Sequence, residues 1–260
     1  MLTVDIEPAL GLFGLGAARA LPLAWSIPVF GGPALPVRLR VVLGLGLAAL
    51  CYPVLAASSP PTGVVAWVLL AGREALVGVV MGLVCAGMFR AAEGAGALLD
   101  ELHGTHGSLA TAPGDTGAMS SWRGLLLLLA CVIFLEIGGI AHLATALTRS
   151  YEAIPLDQPV RLHTATQSAA RLAVVASSKL IEASIGLAAP ALVALLLADI
   201  VLGALDRAVP RIALHFASRP LKALVVVGVV LLGLGGMDLA MQAGFRGFFD
   251  LLQSGLRFGR

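Results

Sequence analysis

Charge is scarce in this chain of 260 residues: Asp, Glu, Lys and Arg together make up 12%, against roughly 25% in a typical soluble domain. With 58% hydrophobic residues and a mean hydropathy of +0.96, a soluble fold is excluded and a polytopic membrane protein takes its place. The 17 basic and 15 acidic residues leave a net charge of only +2. No basic patch with interleaved aromatics occurs, so nucleic acid is not among the expected partners. Cysteine is nearly absent, and Cys51, Cys85 and Cys131 stand alone in apolar segments. Without a CxxC pair or a secreted-type framework they read as packing thiols. Where a signal peptide carries basic residues, "MLTVDIEPAL" carries Asp5 and Glu7, so insertion without a cleaved leader is expected. An even series of roughly ten-residue alternating strands is also missing, which excludes a membrane β-barrel.

What the sequence has instead is uninterrupted apolar chain. Val41 to Gly72 is uncharged over 32 residues, and Gly124 to Thr148 contains only Glu136; about 20 apolar residues cross a bilayer. In lipid these segments must be helices, because only a helix satisfies its backbone within one segment. Six to eight are expected within a single membrane domain, 1–260. The first runs from about Pro8 to Leu21, before "LPLAWSIPVFGGPALP" brings Pro22, Pro28, Pro33 and Pro36. A broken helix or re-entrant connection is predicted there. "VRLRVVLGLGLAALCYPVL" forms the second helix and "SSPPTG" ends it.

A third helix spans Val64 to Leu99, roughly 50 Å at 1.5 Å per residue. Gly78, Gly82 and Ala86 make a ridge of small residues on it, extended by Gly87, Gly94 and Ala97. Such a ridge admits close backbone approach, either within this chain or from a partner. Gly124 to Thr148 is expected as one helix with Glu136 at its middle. Residues 161–182 repeat polar groups at helical spacing and form an amphipathic segment, and Pro190 predicts a kink beyond it. The final apolar run, Lys222 to Met237, precedes an amphipathic C-terminal helix, 238–258. There Phe245, Phe248, Phe249, Leu252 and Leu256 oppose Gln242, Arg246, Asp250, Gln253 and Arg257. The uncharged runs Ala183 to Ala198 and Ala223 to Met237 are short, at 16 and 15 residues. Hairpins covered by neighbouring subunits tolerate that better than a free-standing carrier.

Ionisable residues inside apolar segments are functional candidates: Arg73 with Glu74, Arg90 with Glu93, Glu136, Asp199, and Asp206 with Arg207. Arg90 and Glu93 lie three apart and can pair on one helical face. Glu136 and Asp199 lack such a neighbour, and a proton-coupled small-molecule transporter using either is the alternative function. The polar stretch "DELHGTHGSLATAPGDTGAMSSW", residues 100–122, offers Asp100, Glu101, His103 and His106 as zinc-type ligands. Its order is E-L-H-G-T-H, not the H-E-x-x-H that sets two histidines on one helical face, and Gly104 and Gly107 interrupt the helix. Ser108, Ser120 and Ser121 have no evident base, and no G-x-S-x-G occurs. Neither enzymatic activity nor a metal or cofactor is expected, and the stretch reads as a polar loop.

Four blocks in order carry a resemblance. The first has Pro36, Arg38, Arg40 and Pro53, and the second Glu74, Gly78, Gly82, Gly96 and Gly104. The third has Ser150, Tyr151 and Pro155, and the fourth Pro190, Asp199, Gly203, Arg207, Pro210, Pro220 and Lys222. Together they resemble the inner-membrane export-gate component of type III secretion, the FliR/SctT family, over nearly the whole chain. Departures fall at Arg211, Ala213 and His215.

The resemblance implies an all-α, polytopic subunit of helical hairpins in a helical, pore-like assembly. It would sit in the bacterial inner membrane, within the base of the secretion apparatus. Implied partners are the P/R-type and Q/S-type membrane export components, the autocleaving switch component, membrane lipid, and unfolded secreted proteins as substrate. It further implies a channel or gating loop at Gly104, Gly107, Ser108, Pro113, Gly114 and Gly117. Assembly and packing roles are implied for Arg38, Arg40, Glu74, Gly78, Gly82, Asp199, Gly203, Arg207, Pro210 and Lys222.

Overall fold

The computed structural model describes residues 6–30, 36–56, 63–103, 121–156, 162–208 and 214–257. Seven α-helices occur among them: α1 (Ile6–Ser26), α2 (Val37–Leu55), α3 (Val64–His103), α4 (Ser121–Glu136), α5 (Gly139–Ala153), α6 (Leu162–Ala208) and α7 (Leu214–Arg257). A single 3-10 turn, Pro28–Phe30, follows α1, and the described residues contain no strand. Five of the helices are long and apolar enough to cross a membrane, and a sixth span results if α4 and α5 count as one bent crossing. The protein is therefore an all-α polytopic membrane protein, as its composition predicts.

Pro22 does not end its helix, contrary to the expectation from sequence. Helix α1 continues through Pro22 to Ser26, where the Ser26 hydroxyl donates to the Pro22 carbonyl at 2.9 Å. Pro53, Pro190 and Pro220 also lie inside helices. Each proline removes one backbone donor, but unwinding would expose several more unpaired groups where no water can take them. Helix α6 joins the amphipathic segment to the apolar run after it, and α7 joins Lys222–Met237 to the C-terminal amphipathic stretch without a break.

The converse correction falls at Glu136. Instead of one helix from Gly124 to Thr148, α4 ends at Glu136 and α5 departs at 71°. Gly138 makes the corner with φ +69°, a left-handed conformation that glycine adopts without steric cost. Glu136 is thus an exposed residue at the end of α4, beside the corner, and not in the middle of a straight helix.

The chain divides into two compact units. The first comprises Met1–Gly87, Phe134–Lys179 and Phe245–Arg260, and the second Met88–Ile133 and Leu180–Gly244. In the first unit α1 and α2 pair antiparallel: a side chain at Gly44 would meet Leu21, and Leu55 lies against Gly16. Helix α3 runs parallel to α1, with Gly11 against Trp67, Arg19 against Gly78, and Pro22 and Ser26 against Gly82. At Gly78 and Gly82 the ridge of α3 is therefore filled by this chain's own α1. At Gly78 an added methyl would overlap the Arg19 carbonyl oxygen, and at Gly82 it would lie 2.6 Å from the Ser26 Oγ. Phe134 packs on Phe245 and Phe249, with ring centroids 5.4 and 6.4 Å away.

In the second unit the end of α3 meets the start of α4. A methyl at Gly96 would overlap the backbone of Arg123. Helices α6 and α7 leave much apolar surface open there, including Leu196, Ile200, Leu231 and Leu232, the last 92% exposed.

Candidate functional site

At the centre of the first unit lies a cluster of ionised side chains that the sequence reading did not assemble. Arg19, seven residues before the end of α1, sits about 10 Å inside the apolar span. Its Nε donates to Glu74 Oε2 of α3 at 2.6 Å, and neither side chain is exposed. Its Nη1 donates to the Ser150 hydroxyl at 2.9 Å and its Nη2 to the Ile154 carbonyl at 3.2 Å. The guanidinium lies over the Tyr151 ring, 4.1 Å from its centroid, while the Tyr151 hydroxyl donates to the Gly16 carbonyl at 3.2 Å.

Arg73 completes the arrangement. Its Nη2 donates to the Pro155 carbonyl at 2.6 Å, and its Nε lies 3.5 Å from Glu74 Oε1. That oxygen accepts no hydrogen bond, so Arg73 contributes attraction there without hydrogen-bond geometry.

The physical reason for this cluster is the end of α5. The last carbonyls of a helix have no partner within it, and here the chain leaves α5 at Ile154 and Pro155 beside buried residues. Two guanidinium groups supply donors to those carbonyls, and the negative end of the helix dipole favours their charge. Glu74 balances one of the two positive charges. A buried ion costs several kcal/mol in desolvation unless its partners are well placed. Here three separate helices place them.

Of the residues predicted to pack, Glu74 and Gly78 converge on Arg19, and Gly82 packs one turn further along α1, on Pro22 and Ser26. Arg19 itself was the omission: a lone arginine in "LGAARALPLAW" satisfies the rule for intramembrane charge, and that signal alone would have identified it. Ser150, Tyr151 and Pro155, noted only as a family block, belong to the same cluster.

Other predicted residues lie apart from it. Arg38 is exposed in the first turn of α2, and Arg40 lies over the Trp25 ring, 5.2 Å from its centroid. In the second unit Asp199 finds a partner that the sequence did not suggest, Lys222 of α7, at 2.5 Å. Asp199, Gly203 and Arg207 share one exposed face of α6 at spacing four, and nothing lies within 4 Å of a methyl built on Gly203. Gly228, Gly233, Gly235 and Gly236 of α7 are open in the same sense. Arg90 pairs with Glu93 at 2.8 Å, as the spacing predicts.

Asp100, weighed as a metal ligand, has another occupation. Its buried carboxylate accepts the backbone N–H groups of Trp122 and Arg123 at 3.3 and 3.1 Å. No group of three or more metal-ligand side chains occurs among the described residues. Gly104, Gly107, Ser108, Pro113, Gly114, Gly117 and Pro210 lie outside the described residues, as do Arg211 and Ala213.

Comparison with known proteins gives a consistent neighbourhood. The family described as "Bacterial export proteins, family 1" matches residues 10–248. The surface presentation of antigens protein SpaR of Salmonella typhimurium is 26% identical over 237 residues, covering 89% of this chain and 86% of that protein. The secretion system apparatus protein SsaT of the same organism is 32% identical over 168 residues, 64% of this chain and 63% of its own. The flagellar biosynthetic protein FliR of Pectobacterium carotovorum is 30% identical over 220 residues, covering 83% and 80% respectively.

Proposed function

The chain belongs to the bacterial export proteins, family 1, and on that premise we propose that it is a structural and gating subunit of a type III protein export channel. That it is a component of a type III secretion or flagellar export apparatus follows from the family and its relatives. The finer proposal is that it assembles with the P/R-type and Q/S-type membrane components and the autocleaving switch component in the bacterial inner membrane. Unfolded secreted proteins would be the substrate.

One contrast carries the assembly part. Gly78, Gly82, Gly87, Gly94 and Gly96 of α3 are filled by this chain's own side chains and backbone, whereas Gly203, Gly228, Gly233, Gly235 and Gly236 stand open. Open glycines on apolar helices suit close approach by another helix, and exposed Leu231 and Leu232 on α7 are surface that such a neighbour or lipid would cover. Co-purification with the three membrane components tests it. Recovery of this chain as a stable protein alone, with none of them bound, would sink it.

The gating part concerns residues 104–120, which are small and nearly uncharged, Asp115 being the only carboxylate. In this proposal they keep the resting channel closed. Deleting residues 108–117 is expected to make membranes leaky to ions and small solutes. Unchanged conductance with export intact would remove the idea. A proton-coupled transporter, the alternative, would need a carboxylate free to exchange protons within the span. Asp199 is paired with Lys222, which does not favour it there.

A further inference from the structure

Helices α1 and α2 are matched in length to a bilayer. At 1.5 Å per residue their 21 and 19 residues come to roughly 30 Å each, the thickness of the hydrocarbon core. They pair antiparallel, so Ser26 at the end of α1 and Val37 at the start of α2 lie at one end of the pair. The charge of that end is one-sided. Between Glu7 and Arg73 the charged residues are Arg19, Arg38 and Arg40 alone. Arg19 is answered by Glu74, and the chain from Ala20 to Gly72 adds two arginines and no carboxylate.

Trp25 stands at the same end with 51% of its surface exposed. The Arg40 guanidinium lies over its ring, 5.2 Å from the centroid, a contact that steadies the ring at this depth. Helix α2 turns Gly44, Leu47 and Cys51 inward. Its other face carries Arg38, Val42, Gly46 and Leu50, four residues apart and all exposed.

An apolar stripe headed by a cation suits a helix that meets acyl chains along its length and phosphates at its end. The planar guanidinium matches a phosphate with two parallel N–H bonds. Tryptophan favours the same depth, because its ring is apolar and its indole N–H is polar.

We propose that Trp25, Arg38 and Arg40 form a contact site for an anionic phospholipid headgroup at this end of the α1–α2 pair. The phosphate accepts from Arg38, the Trp25 ring lies at the level of the headgroup, and the acyl chains run along Val42 and Leu50. Arg40 holds the ring and adds its charge. A protein helix laid on this face would have to bring its own carboxylate to Arg38, whereas an anionic lipid supplies charge and apolar chain together.

The test uses the purified export complex containing the full chain, reconstituted into vesicles of phosphatidylcholine and phosphatidylglycerol in equal parts. Bromine is carried on the acyl chains of one lipid or of the other, and the emission of Trp25 is taken as the difference between the native complex and Trp25→Phe. Brominated phosphatidylglycerol is expected to quench Trp25 more strongly, as a local enrichment of about 5-fold, which corresponds to the roughly 1 kcal/mol that one basic residue contributes near an anionic lipid surface. Arg38→Gln should bring the two lipids close to equality, and Arg38→Lys should retain part of the preference. Equal quenching by the two lipids in the native complex overturns the proposal, and so does the native preference retained in Arg38→Gln. Quenching by neither lipid also overturns it, and means that protein covers this end.

Discussion

Arg19 Nε and Glu74 Oε2 lie 2.6 Å apart in the apolar interior, 55 residues apart in sequence, with neither side chain exposed. Everything around them is arranged to make both ions tolerable. Arg19 uses three N–H groups on α3 and the end of α5, and Glu74 answers both Arg19 and Arg73.

Breaking this pair from one side should therefore be severe. Arg19→Met takes from the buried Glu74 carboxylate and from the Ser150 hydroxyl their Arg19 donors, leaving Arg73 as the nearby cation, and a loss of about 3–5 kcal/mol is expected. Glu74→Gln should cost less, because its oxygen still accepts from Arg19. The double variant Arg19→Met/Glu74→Met should recover part of the single-variant loss, since neither member of the pair is left without the other, and the part not recovered reflects the carboxylate that Arg73 also loses. Unfolding midpoints in detergent compare the three. Strict additivity would refute the coupling.

Two glycine substitutions should behave in opposite ways. Gly78→Ala drives a methyl into the Arg19 carbonyl oxygen and should destabilise the chain itself by about 1–3 kcal/mol, as overpacking does. Gly203→Ala meets nothing within 4 Å and should leave the isolated chain as stable or slightly more so, by roughly 0.5–1 kcal/mol from helix propensity. Bulkier Gly203→Leu should lower recovery of the multi-component complex. Equal loss of chain stability at both positions would contradict the packing described.

Tyr151 contributes through two separable contacts. Tyr151→Phe removes the hydroxyl bond to the Gly16 carbonyl but keeps the ring beneath Arg19, and a cost of about 1 kcal/mol is expected. Tyr151→Leu removes both and should cost distinctly more. Thermal unfolding of the two variants side by side decides it.

The Asp199–Lys222 pair is half exposed on one side, at 48% and 20%, so each single neutralisation should change chain stability by no more than about 1 kcal/mol. The swap Asp199→Lys/Lys222→Asp should retain export if the pair holds α6 to α7. Loss of export in the swap, with the complex intact, would instead point to an individual role for the Asp199 carboxylate.

Gly138 should resist substitution for a backbone reason. Its φ of +69° costs an L-residue roughly 1–2 kcal/mol, so Gly138→Ala should lower the unfolding midpoint although nothing lies within 4 Å of the added methyl. An unchanged midpoint would mean that the corner can be made another way.

Much of this was legible in residue order alone. Membrane insertion and the all-helical class follow from apolar length and scarce charge, since a bilayer leaves the backbone no other solution. The Arg90–Glu93 pair is local and could be read from spacing. The corner at Gly138 was missed because "EIGGI" is apolar enough to continue a helix, and only the backbone at Gly138 and the packing of Gly139 against Phe134 show that the chain turns. Pro22 misled in the other direction: a proline marks a lost hydrogen bond, but whether a helix breaks there depends on what surrounds it.

The sequence by itself determined the solvent, the helices and the family, because those depend on composition and on order along one chain. Which carboxylate answers which cation was decided only by tertiary structure. Arg19 meets Glu74 across 55 residues, Asp100 reaches Trp122 across 22, and Lys222 finds Asp199 across a hairpin. A buried charge must have a partner, but apolar helices of similar length can be stacked in many registers, and only close packing at residues such as Gly78 and Gly96 selects the one in which those partners meet.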